Sequence, residues 1–111
     1  MTQDYVPDAG DIVWLNLDPQ KGREQAGHRP CVVLSPKLYN QKTNLMVCCP
    51  MTTKIKGYPF EVLVSKNPES VVLADQIKSF DWRTRGVVYK GKVSHAHLNE
   101  IRKRISLLIR L

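Results

Sequence analysis

From Ile12 to Lys92 the apolar residues of this chain come in short runs, each closed by Gly, Pro, Asn or Asp. Strand-forming runs bounded by turn formers are the signature of a sheet of short strands. Ile12-Val13-Trp14-Leu15-Asn16-Leu17 reads as the first strand, ended by Asp18-Pro19. Pro30 opens a second, buried strand through Leu34, which Ser35-Pro36 closes. Residues 37–43 have room for one short helical turn. Leu45–Cys49 reads as a third strand, Tyr58–Val64 as a fourth and Val71–Lys78 as a fifth. Pro59, which has no N–H to give a ladder, predicts that the fourth lies at an edge or starts there. Asp81–Lys92 reads as a strand or two broken at Gly86.

Only the end of the chain changes period. Ser94 is placed to cap a helix over about residues 95–109, in which Leu98, Ile101, Ile105 and Leu108 form one apolar stripe. The expectation is a mainly β domain of about five to seven short, mostly antiparallel strands, finished by a packed helix. At 111 residues the chain has the size of a single domain, 1–111, with one core.

Composition narrows the class. Hydrophobic residues make up 42% and charged residues 24%, which excludes a disordered, collagen-like or disulfide-framework chain. No apolar run approaches the ~18 residues of a membrane span. The N-terminus has neither the basic start nor the apolar stretch of a secretion signal, so a soluble cytoplasmic protein is expected. Cys31, Cys48 and Cys49 form no C-x-x-C pair, and neighbours on a strand point to opposite faces. They read as small buried hydrophobes in a reducing compartment. The net charge of +7 is unevenly held. Residues 1–75 carry eight Lys/Arg against eight Asp/Glu, and residues 76–111 carry nine against two. Such a skew points to a polyanionic partner, either nucleic acid or an acidic protein. Lys78, Arg83, Arg85, Lys90 and Lys92, set among strand-like residues and aromatics, carry that reading better than Arg102, Lys103, Arg104 and Arg110 on the helix.

The common catalytic and metal motifs are absent: there is no H-E-x-x-H, EF-hand loop, P-loop or G-x-G-x-x-G. His95 and His97, two apart at a helix start, are poorly spaced for one metal. What remains is the polar loop of residues 18–29, whose segment Lys21–Pro30 gathers Arg23, Glu24, His28 and Arg29 beside a rigid strand. Arg offers a planar fork of donors that fits phosphate oxygens, and Glu or His can move a proton. If the substrate is RNA, its own 2′-OH is the nucleophile, and the protein needs a base, an acid and a charge clamp but no metal or cofactor. A second loop, Pro50–Gly57, adds Thr52, Thr53, Lys54 and Lys56 for the same phosphate. Composition and spacing alone do not separate this reading from an ordinary solvated connection between strands.

Ordered signatures along the chain go further. Gly10-Asp11-Ile12-Val13-Trp14, Asp18-Pro19, Gly22-Arg23-Glu24-Gln25, Arg29-Pro30, Tyr39-Asn40, Pro50-x-Thr52, Lys56–Glu61 and Val72–Lys78 resemble the MazF/PemK family of toxin endoribonucleases, its MazF branch most. The resemblance implies an SH3-like barrel of the CcdB/PemK type that forms a homodimer. It implies the toxin of a type II toxin–antitoxin system, an mRNA interferase cutting single-stranded RNA at a short, ACA-like motif. The products would carry 2′,3′-cyclic phosphate and 5′-OH ends, no metal would be needed, and translation and growth would stop. The implied partner besides RNA is a MazE-like antitoxin with an acidic, flexible segment.

By the same resemblance Arg29 protonates the leaving oxygen or clamps the phosphate, Thr52 steadies the transition state, and Glu24 matches a proposed base. Asn40, Lys56 and Lys78 match positions implicated in RNA binding or activity, and His28, Thr53, Lys54, Asp75 and Gln76 complete the expected RNA-binding set. The PemK branch's Asp–Arg–His set is incomplete: Asp75 is present, but Leu73 and Arg23 stand at the other two positions. Asp75 is therefore expected in base recognition or structure. Two other readings remain: a non-catalytic toxin binding a protein such as DNA gyrase, as in the CcdB branch, and a non-cleaving RNA-binding module.

Overall fold

The computed structural model describes residues 5–18, 22 and 27–110. Its elements are β1 (Asp11–Asn16), β2 (His28–Val33), α1 (Lys37–Thr43), β3 (Leu45–Thr52), β4 (Glu61–Lys66), β5 (Glu69–Leu73), a 3-10 turn (Ala74–Gln76), β6 (Lys78–Asp81), α2 (Trp82–Arg85), β7 (Val88–Lys92) and α3 (His95–Ile109). The seven strands form one curled sheet in the order β4-β5-β3-β2-β1-β7, with β6 also on β3. Every pairing is antiparallel.

The sheet is apolar on both faces, and alternation along β2 and β3 sorts the side chains. Val32, Cys49 and Met51 meet Val62, Val72, Ala74 and the α3 residues Leu98, Ile101 and Ile105. Cys31, Val33, Met46 and Cys48 meet Val13, Leu15, Leu17 and Trp82 on the other face. Cys48 and Cys49 thus enter different clusters, as strand alternation requires, and all three thiols are free and buried. The Cys31 side chain's hydrogen bond and burial push Cys48 far above the usual thiol range. Burial does the same to Cys49.

Four elements differ from the sequence reading. The third strand runs on through Pro50 and Met51 to Thr52, where the sequence predicts a loop, because Pro50 pairs with Cys31 and Met51 with Val72. The fifth strand breaks at Ala74–Gln76, because its two halves pair with β3 in different registers. Met51 faces Val72 and Cys48 faces Lys78, so three steps along β3 meet six along the partner. The three surplus residues fold into the 3-10 turn, which swings Asp75 and Gln76 out of the ladder. Residues 82–85 form a helical turn rather than a strand. Asp81 caps it by accepting the Thr84 N–H at 2.8 Å, and Gly86, at φ 62°, ends it. The fourth strand starts at Glu61, after a turn in which the Glu61 N–H donates to the Tyr58 carbonyl at 3.1 Å. It lies at the sheet edge, as Pro59 predicts.

Helix α3 begins at Ser94, whose hydroxyl accepts the His97 N–H at 3.1 Å. Leu98, Ile101 and Ile105 are buried, whereas Leu108 is 49% exposed. At ~100° per residue, Leu108 sits about 80° round the helix from Leu98, at the margin of the stripe.

Candidate nucleic-acid interface

The long strand β3 carries the site at its end. Thr52, its last residue, is nearly buried, and its Oγ accepts the Lys54 N–H at 3.1 Å. A hydroxyl has one donor and two acceptor positions, so this turn takes up one acceptor position of the oxygen. Residues 53–59, all exposed, then loop away from the sheet. They return at Glu61, whose carboxylate accepts the Lys56 N–H at 3.0 Å and the Gly57 N–H at 2.8 Å. Gly57 has φ 82°, a left-handed conformation that a side chain disfavours.

Between this loop and the 3-10 turn lies a cleft of about 470 Å³, lined by Thr52, Lys54, Lys56, Tyr58, Glu61, Leu73, Asp75 and Gln76. Five residues expected from the sequence meet there: Thr52, Lys54, Lys56, Asp75 and Gln76. The sequence reading did not single out Tyr58, Glu61 and Leu73 as site residues. Tyr58 and Glu61 lie in the matched segment Lys56–Glu61, and the signal for Glu61 was an acid at a strand start just after a basic loop.

Arg29 does not line this cleft, but strand register relates it to Thr52. Cys31 pairs with Pro50 across β2 and β3, and Arg29 and Thr52 each lie two residues beyond that pair. Strand alternation gives both the same face at adjoining strand ends. Arg29 is half-buried. Lys78 opposes Cys48 on the other side of β3 and lines a neighbouring open groove of about 590 Å³ with Asp18, Asp81, Thr84 and Arg85.

Other expected residues lie elsewhere. His28, one position from Arg29, turns to the opposite face and stacks on Trp14 at 5.9 Å between ring centroids. Thr53 is exposed but does not line the cleft. Asn40, expected in RNA binding or activity, is completely buried away from the cleft. Its amide donates to the Pro7 and Ser35 carbonyls at 2.8 and 3.0 Å, and its side-chain oxygen accepts the Ser35 hydroxyl at 2.6 Å. Glu24 lies outside the described residues, as does Arg23.

The basic residues of the last third are largely engaged within the fold. Arg85 donates to the Asn16 and Asp18 carbonyls, bracing the base of the first loop. Arg83 lies over the Trp82 ring and bonds Asn44, and Lys92 pairs with Asp11 at 2.7 Å. Among the described residues, no group of three or more His, Cys, Asp and Glu side chains is placed to hold a metal ion. No described helix is long and apolar enough to cross a membrane.

Comparison with known proteins agrees with the geometry. The chain is 54% identical over 110 residues to the endoribonuclease toxin MazF of Escherichia coli K12, covering 98% of this chain and 99% of that protein. It is 30% identical over 106 residues to the endoribonuclease PemK of Escherichia coli, covering 90% and 80% of the two chains. The crystal structure of MazF from Deinococcus radiodurans superposes with a TM-score of 0.91 at 47% identity, covering 97% of this chain and all of that one. A MazE–MazF structure from the same organism gives 0.84 at 43% identity, covering 97% and 99%. A family described as the PemK-like, MazF-like toxins of type II toxin–antitoxin systems matches residues 8–109, and the chain belongs to that family.

Proposed function

We propose that the protein is the toxin of a toxin–antitoxin pair and an endoribonuclease that cuts single-stranded RNA at a short motif. The observation that carries this reading is the cleft in which Thr52, Lys54, Lys56, Asp75 and Gln76 converge, with Arg29 at the adjoining strand end. The 2′-OH of the RNA attacks the adjacent phosphorus. Glu24 takes its proton, the bond from phosphorus to the 5′-oxygen breaks, and a 2′,3′-cyclic phosphate and a 5′-OH result. Thr52 donates its O–H to a phosphate oxygen as negative charge builds there. Arg29, charged throughout, clamps the same group and hydrogen-bonds the leaving oxygen, which takes its proton from water. Because the nucleophile comes from the substrate, the reaction requires no metal and no covalent intermediate.

Lys54, Lys56 and Lys78 bind flanking phosphates. Asp75 and Gln76, which line the cleft, are assigned to base recognition, and an ACA-like motif is what the resemblance to the MazF branch implies. Solved MazE–MazF complexes of Deinococcus radiodurans support an antitoxin partner for this chain. We place an acidic antitoxin segment on the same basic loop, and the toxin as a cytoplasmic homodimer that inhibits translation by degrading mRNA. The test is incubation of purified protein with long single-stranded RNA in EDTA, followed by mapping of the ends. Cuts at one short motif with cyclic phosphate and 5′-OH ends, lost in Arg29→Ala, bear the proposal out. Intact RNA, with folding verified and several RNAs tried, overturns it in favour of a protein target or a non-cleaving RNA module.

A further inference from the structure

We propose that Glu61 is the positioning residue of the cleft: it holds the basic loop in the form that presents Lys56 to RNA. The inference rests on the cleft being the RNA site. An acidic side chain lining a site for a polyanion weakens it, unless both oxygens are otherwise occupied. Here each oxygen accepts one of two successive backbone N–H groups, from Lys56 at 3.0 Å and Gly57 at 2.8 Å. Charge-assisted bonds of this kind are the stronger class. They occupy one acceptor position on each oxygen and turn the backbone at the residue that carries the cation.

Glu61 is itself fixed, because it opens β4 opposite Leu73 of β5, two residues before Asp75. The clamp therefore sets the basic loop against the turn that carries Asp75 and Gln76. A second tie comes from α3, where Arg104 donates to the Pro59 carbonyl and pairs with Glu100 at 2.7 Å. Lys56 also lies over the Tyr58 ring, 5.9 Å from its centre. Without Glu61, the exposed stretch 53–59 has to be ordered by RNA at the moment of binding, a cost that falls on affinity.

The decisive experiment is a double-mutant cycle of Glu61→Ala and Lys56→Ala in RNA cleavage, with amide hydrogen exchange read at Lys56 and Gly57. Glu61→Ala should raise KM about tenfold while kcat falls less than about threefold. In the Lys56→Ala background the same change should shrink to about twofold or less, because Glu61 acts through Lys56. Exchange should quicken at the Lys56 and Gly57 amides and not in β4. Glu61→Gln keeps the shape and one acceptor, so it should fall between the wild type and Glu61→Ala, and it serves if the alanine variant does not fold. Independent, multiplying effects at the two sites would overturn the proposal, as would a fall in kcat at constant KM or unaltered exchange at both amides. If the wild type cuts no RNA, the endoribonuclease reading fails, and the exchange at Lys56 and Gly57 still decides whether the clamp exists.

Discussion

Thr52 and Asn40 are both polar, both buried and both part of family-like segments, yet they do opposite work. The Asn40 side-chain amide is fully engaged with Pro7 and Ser35, and the backbone carbonyl of Asn40 accepts the Trp82 indole N–H at 2.9 Å. It holds α1 against the N-terminal segment and α2. The Thr52 oxygen accepts one N–H, and on the proposed function its hydrogen serves the phosphate. Thr52→Val keeps the branched volume and removes the hydroxyl. We expect kcat to fall about 10²–10³-fold, the usual loss of one transition-state donor, with KM little altered. Stability should drop by about 1 kcal/mol, because the Lys54 N–H loses its acceptor. Single-turnover cleavage and thermal melting read the two effects, and Thr52→Ser should restore most of the rate. Cutting at the wild-type rate by the valine variant would remove Thr52 from the chemistry.

At the scale of elements, α3 shows where periodicity is sufficient and where it stops. Ile101 is completely buried in the cluster between helix and sheet, and Leu108, on the same sequence stripe, is half exposed. Ile101→Ala should cost about 2–5 kcal/mol, and Leu108→Ala less than a third of that, by urea unfolding. An equal cost at Leu108 would mean that another chain covers the last helical turn. Strand positions were legible for the same reason as α3: alternation and turn residues are local signals. The break between β5 and β6 was not legible, because Ala74, Asp75 and Gln76 interrupt a strand-like run only to reconcile two registers on β3. Register is a relation between distant segments, and no single run encodes it. That unread turn carries Asp75 and Gln76 into the cleft. Residue types therefore revealed the candidates, and the three-residue insertion decided which of them meet.

For the whole molecule, the seam between β7 and β1 and the excess positive charge are connected. Lys92 opposes Asp11 across that seam and pairs with it, while the Tyr5 hydroxyl donates to the other Asp11 oxygen at 2.6 Å. Burial and the Asp11 bond push the Tyr5 hydroxyl well above its ordinary value of about 10, and the bond to Asp11 raises Lys92 above 10.5. Both groups keep protons in the folded state that they lose in the unfolded chain. Their contribution is full below about pH 10 and fades as pH rises through the folded-state values. The urea midpoint should therefore fall above about pH 10, and less steeply in Tyr5→Phe; equal slopes in the two proteins would dismiss the seam as the cause. Lys92 is one of several cations engaged in this way. Among the basic residues of 76–111, Arg83, Arg85, Lys92, Arg102 and Arg104 hydrogen-bond within the fold. On the proposed function, the skewed charge speeds RNA encounter through its long-range field, while Lys54, Lys56 and Lys78 make the phosphate contacts. Log affinity against log salt should have a slope of about −0.7 per phosphate neutralised on a single strand. Lys56→Ala should flatten that slope by about 0.7, whereas Arg83→Ala should leave it unchanged. A slope that flattens equally in both would put a phosphate contact on α2 at Arg83, outside the proposed set.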